Sequence, residues 1–171
     1  MKGLKSYENF PFWIPLLAVL VSVISCIIGA VILSGFSFLV SIVYVLYCIS
    51  IELMVIFRSC KDCWYYGNIC GSGKSKIAPL FVKKGDTKKF VERDISMLHM
   101  IPDFMVSILP LVGGIVLLIL NFTIVVIVLI FIFAILSFGG TAFIRGTLIC
   151  KRCKQKDIGC PAHKIFNKNS N

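Results

Sequence analysis

The sequence is poor in acid: eight Asp and Glu stand against 18 Lys and Arg, a formal charge of +10. It is also poor in histidine, with His99 and His163 alone. General acid–base chemistry uses paired carboxylates or a poised imidazole, and an activated nucleophile needs a neighbouring base. No such set can be assembled from these residues, so the chain is expected not to be an enzyme. Long polar stretches are scarce too. Hydrophobic residues make up 58% of the 171 positions, above the roughly 45–50% of soluble domains.

That excess is gathered into four runs, Phe12–Ser34, Phe36–Phe57, Phe104–Leu120 and Phe122–Ile144. A helix needs about 20 apolar residues to cross a hydrocarbon core of roughly 30 Å. Three runs reach that length, and the third does so by extending back to Met100. Runs apolar on every face point to helices rather than a barrel, because each segment must satisfy its own backbone in lipid. VISC at residues 23–26 loosely fits a lipoprotein cleavage box, but the apolar run continues past Cys26. A cleaved leader ends its apolar region at the site, so the segment is read as a permanent helix. The expected fold is all-α: a polytopic membrane protein with four transmembrane helices, arranged as two helix hairpins.

Basic residues occupy three places. Lys2 and Lys5 precede the first run, nine lie from Arg58 to Arg93, and seven from Arg145 to Lys168. The short turns near Gly35 and Asn121 carry none. The positive-inside rule then puts both termini and the central connection in the cytoplasm. The expected location is the cell membrane, multi-pass. Thiols on that side are normally kept reduced. Each basic residue near anionic lipid contributes about 1 kcal/mol, so lipid explains the charge and nucleic acid is not expected as a partner. Asn121-Phe-Thr123 is a formal glycosylation sequon in a turn too tight to serve.

Each hairpin is followed by the same cysteine ruler. CKDCWYYGNIC at residues 60–70 and CKRCKQKDIGC at 150–160 are both C-x2-C-x6-C. The order of elements repeats better than the letters, which suggests duplication of a two-helix unit about an axis along the membrane normal. The expected division is a first half at 1–70, a basic connection at 71–102 and a second half at 103–171. In the connection, GSGKSK at 71–76 reads as flexible; its resemblance to a phosphate loop fails because residue 68 is Asn and no strand precedes it. Thr87–Ile101 reads as a short amphipathic helix on the inner leaflet, capped by Asp86 and ended by Pro102.

Cysteines two residues apart can turn both sulfurs to one ion, as in tetrahedral zinc sites. The six candidate ligands are Cys60, Cys63, Cys70, Cys150, Cys153 and Cys160. They allow one four-thiolate site from Cys60, Cys63, Cys150 and Cys153, or two separate sites completed by His99 or His163, or a six-thiolate site for two metals. The spacing resembles the binuclear zinc cluster of fungal transcription factors, whose basic first half is similar to CKRCKQKDIGC. That resemblance covers the two eleven-residue windows and implies ligand geometry alone, since 79 residues separate the windows here. Zinc is the expected metal, tying the hairpins together. An iron–sulfur cluster is the alternative, and thiol–disulfide exchange a third possibility. Cys26 and Cys48, alone inside helices, read as free thiols.

Glu52 is the one acid within an apolar run, and charge at that depth is costly. An intramembrane ion pair with Arg145 is expected, with a cation or proton site on a transport path as the alternative. Gly29, Gly113-Gly114 and Gly139-Gly140 read as close helix contacts. Pro15 and Pro110 read as kinks or helix starts, and Trp64, Tyr65 and Tyr66 as an interfacial aromatic belt, with packing over the cysteine site as the alternative. The expected function is a metal-binding membrane module that scaffolds a complex or senses or handles a thiophilic metal, with a membrane protein or a second copy as partner. A membrane-bound electron carrier and a small metal transporter are the alternatives.

Overall fold

A computed structural model describes residues 6–91 and 97–160; within these, the side chains of Lys89 and residues 97–100 are outside the description. The described chain is helical. Four of its helices are long and apolar enough to cross a membrane: Trp13–Ser34, Phe38–Cys60, Ile101–Leu120 and Ile124–Arg152. Helix α1 is Trp13–Ser34, and α2 is Phe38–Val55, continued by a wide π-helical turn, Ile56–Cys60. The connection holds α3 (Lys74–Phe81) and α4 (Thr87–Val91). Helix α5 is Met97–Leu120, and α6 is Ile124–Ala134. The last span continues through a π turn (Ile135–Gly140), a short α7 (Thr141–Phe143), a second π turn (Ile144–Ile149) and a 3-10 turn (Cys150–Arg152). A short α8, Gln155–Gly159, follows.

Contacts divide the chain into two units, each drawing on both sequence halves. The first is Met1–Val19, Leu53–Met97 and Phe143–Asn171; the second is Leu20–Glu52 and Leu98–Ala142.

The second unit shows how prolines sit inside apolar helices. Proline cannot donate to the carbonyl four residues back, and a bare carbonyl is expensive in lipid. Pro110, inside α5, leaves the carbonyl of Val106 without its usual donor. The Tyr44 hydroxyl of α2 donates to that oxygen at 2.9 Å. Gly29 of α1 makes room for this junction: a Cβ there would lie 2.7 Å from the Tyr44 hydroxyl and 2.9 Å from Pro110 Cγ. Pro102, expected to stop a helix before the third span, lies inside α5 instead. Its own carbonyl accepts from Tyr47 Oη at 3.0 Å, which ties α5 to α2 beside the proline.

The expected small-residue contacts divide. Gly113 and Gly114 meet Leu33 and Ile130 closely, each with a would-be Cβ 2.7 Å away. Gly140 faces Val21 at 3.3 Å, but Gly139 has nothing within 4 Å among the described residues. Gly139 therefore marks no close contact; it lies in a widened π turn. Ile32, Leu117 and Phe133 form one buried cluster of this unit, and Leu33, Tyr44 and Cys48 another, with Cys26 against it.

In the connection, the expected amphipathic helix over Thr87–Ile101 appears as α4, with the Asp86 carboxylate accepting from Lys88 N at 3.0 Å. Residues 92–96 lie outside the described residues, and Met97–Ile101 belong to α5. The stretch read as flexible is ordered. Gly73, at φ 74°, turns the chain into α3, a left-handed conformation that glycine adopts without penalty. Pro79, inside α3, leaves the Ser75 carbonyl free, and Gly67 N donates to it at 3.0 Å.

Candidate functional site

All six ruler cysteines belong to the first unit. Its centre is Tyr65, which is 1% exposed and packs with Phe10, Ile14 and Cys70. Cys63, Cys153, Trp64, Leu148 and Ile149 close around that cluster. The expected aromatic belt is thus corrected: Tyr65 is core, and the Tyr66 hydroxyl donates to Val82 O at 2.6 Å. An aromatic body fills the space between two chain segments, and its hydroxyl finds polar partners inside.

Those partners join the two cysteine segments. The Tyr65 hydroxyl donates to the carbonyl of Tyr7 and accepts from Lys154 N at 3.0 Å. Gln155, 2% exposed, accepts from Trp64 N at 2.9 Å. The segment before α1 lies between the two. Tyr7 N donates to Arg152 O at 2.9 Å, and Phe10 N to Ile69 O at 3.1 Å. The Arg152 guanidinium bonds the Tyr7 hydroxyl and lies over its ring, while Lys154 Nζ lies 4.5 Å from the Trp64 ring centre. Lys154 also pairs with Glu8 at 2.9 Å. Sequence reading missed the part played by residues 7–10, which carry no pattern beyond aromatic character.

The sulfurs differ by position. Cys63 and Cys153, the second cysteine of each triplet, occupy matching environments. The Tyr65 amide lowers Cys63, and the Gln155 and Lys156 amides lower Cys153. The amide two residues on thus acts on each thiol. Burial still pushes Cys63 up to about 12 and Cys153 to about 11, against the pull of those amides, and each is raised further by neighbouring cysteines. Cys153 is one of the groups that raises Cys63, so the two triplets act on one another electrostatically. Cys63 Sγ also lies 3.9 Å from Gln155 Oε1.

Cys70 is different. Burial raises it, but hydrogen bonds from the hydroxyls and amides of Ser72 and Ser75 outweigh this and bring its thiol below the ordinary range. The Ser72 hydroxyl lies 3.3 Å and Ser75 N 3.5 Å from its sulfur.

The first cysteine of each triplet lies where a long helix ends. Cys60 closes the π turn of α2 and is buried with Ile56 and Ala78, the latter from α3. Cys150 follows the π turn Ile144–Ile149 and is exposed. Cys160 is half-buried after Gly159. Among the described residues no three His, Cys, Asp or Glu groups converge closely enough to hold a metal ion. None of the three expected ligand sets is assembled there, while the His99 side chain and His163 lie outside the described residues. Gln155 Nε2 is buried without a hydrogen-bond partner among the described residues. It is an amide donor in the side chain whose oxygen faces Cys63.

Glu52 lies in the second unit, where Ser22 Oγ donates to its carboxylate at 3.5 Å. Arg145 lies in the first unit, exposed on the last span. Comparison with protein-family models, with curated proteins and with solved structures finds no match.

Proposed function

We propose that this chain is a multi-pass membrane protein whose two cysteine segments form one thiol site for a thiophilic cation, zinc in the first instance, at the basic face of the membrane. The observation that supports this reading is the matched pair of amide-lined sulfurs. Cys63 and Cys153 both pack against one buried cluster, and each is lowered by the amide two residues on. Amides directed at sulfur favour the charged form, and the thiolate is the form that binds metal. Burial opposes that charge, so each thiol keeps its proton until a cation supplies the countercharge.

Cys70 supplies a third sulfur to the same cluster, and a fourth donor comes from Cys60, Cys150 or Cys160. Since no three donors meet among the described residues, uptake requires the remaining sulfurs to close in around segments that are already joined. Tyr65 and Gln155 already join the segments, so the ion is not needed to hold them. This favours a site that loads and releases metal over a purely structural one, and a sensing or handling role over a scaffold.

The test is metal content of the anaerobically purified full chain, by elemental mass spectrometry, beside a Cys63→Ser, Cys153→Ser double variant. Stoichiometric zinc in the parent, lost in the variant while the helical spectrum is kept, is the expected result. Parent protein that stays metal-free after incubation with zinc overturns the reading. Iron with acid-labile sulfide replaces it with an electron-transfer protein.

A further inference from the structure

A cleft of about 160 Å³ opens in the first unit between the start of α1 and the chain leading into α3. Phe12, Leu16 and Val19 line one side, and Ile69, Gly73 and Lys76 the other. One of these residues is charged, and the rest are apolar. Phe12, Leu16 and Val19 are 70%, 45% and 44% exposed, and the latter two belong to a helix apolar enough to cross a membrane. The medium against such a face is lipid. From Phe12 to Val19 the wall runs about 10 Å at 1.5 Å per residue, a substantial part of an acyl chain.

Gly73 keeps this cleft open. At φ 74° it has the conformation that side chains rarely adopt, and a Cβ there would come 3.3 Å from Pro15 Cβ and 4.0 Å from Val19 Cγ2. Lys76 sits at the rim and is exposed. A lysine can lay its methylene stem along apolar surface and present its ammonium to the headgroup layer. The cleft thus joins an acyl-sized apolar wall to one positive charge at its edge. A zwitterionic lipid would bring its own ammonium towards Lys76, whereas an anionic headgroup complements it.

We propose that this cleft binds a single anionic phospholipid, one acyl chain against Phe12, Leu16 and Val19 and its phosphate at Lys76. The site is independent of the cysteine reading and holds whether or not the thiols bind metal.

The test uses the full chain in nanodiscs of phosphatidylcholine with a minor fraction of phosphatidylglycerol, counting the lipids retained by native mass spectrometry. Lys76→Gln is expected to weaken retention of phosphatidylglycerol about fivefold, the equivalent of about 1 kcal/mol for one lysine near a headgroup. Leu16→Trp fills the cleft without changing charge and is expected to reduce retention as well; Val19→Phe replaces it if that variant does not fold. Lys83→Gln removes an exposed lysine outside the cleft and is expected to leave retention unchanged. Equal loss in Lys83→Gln and Lys76→Gln would mean diffuse attraction and overturn the proposal. So would unchanged retention in both Lys76→Gln and the filling variant.

Discussion

The two cysteine triplets share a spacing but not an environment. The first is knitted into the protein: Cys60 and Cys70 are 6% and 8% exposed, and α3 covers the helix end that carries Cys60. The second lies along the surface, with Cys150 exposed and Cys153 and Cys160 half-buried. Their middle cysteines alone match, each half-buried and each lowered by the amide two residues on against the rise from burial. Equal spacing in sequence therefore guarantees neither equal local structure nor equal burial: turns follow Cys60, while a 3-10 turn and α8 span the second triplet. Burial is set by what the rest of the chain brings, and the first triplet receives α3 and the Phe10 segment.

The contrast can be broken most severely at Tyr65, which belongs to the first triplet but bonds the second. Tyr65→Ala removes a buried aromatic and two hydrogen bonds, and is expected to cost about 3–5 kcal/mol. Tyr65→Phe keeps the packing and strands its partners, at about 1–3 kcal/mol. Thermal unfolding in detergent, read by circular dichroism, separates the two.

The middle cysteines give the next effect. Cys63 is held protonated up to about 12 and Cys153 to about 11, against an ordinary value of 9.0. A thiol raised on folding contributes stability that is complete below its unfolded value and is lost as pH rises towards the folded one. Metal-free protein is therefore expected to lose stability between pH 9 and about 12, and Cys63→Ser, Cys153→Ser to lose less over that interval. A flat profile in the parent would remove the basis for treating the two thiols as buried alike.

Two glycines sharpen the comparison further. Gly71 follows the first triplet directly, and a Cβ there would lie 2.5 Å from Ile149 Cγ2. Gly71→Ala is expected to destabilise by about 1–3 kcal/mol through overpacking. Gly146, shortly before the second triplet, has nothing within 4 Å among the described residues. Gly146→Ala is expected to be neutral or to stabilise by up to about 1 kcal/mol, through helix propensity. Similar losses in both would contradict the difference in packing. The smallest effect is kinetic: maleimide should label Cys150 before Cys60 or Cys70 in folded, metal-free protein, a sequence of events that peptide mapping resolves.

The membrane-spanning helices were legible because continuous apolar runs leave few alternatives. The error at Pro102 shows the limit of that reading. Proline removes one donor from a helix, and whether the remaining bonds and neighbouring helices carry the helix past it cannot be judged from one segment. Helix α3 was missed for a similar reason, because its glycine-rich entry and Pro79 read as loop, and the donor that relieves Pro79 is Gly67, ahead of the helix itself. At the site, the spacing picked out Cys63, Cys70 and Cys153, which gather at one buried cluster. It could not show that Tyr65 would be interior or that Gln155 would meet Trp64, since both contacts join residues about 90 apart. Such pairings carry no local period.

The bond from Tyr44 to the Val106 carbonyl also bears on the order in which the protein is made. A chain emerges from its N-terminus, so α2 is synthesised before α5. The helix that supplies the hydroxyl is present when the helix with the uncapped carbonyl arrives. Were the two exchanged in sequence, α5 would enter lipid with a bare oxygen and wait for its donor. The proline can therefore be tolerated in α5 during assembly as well as in the finished fold, because its remedy comes first.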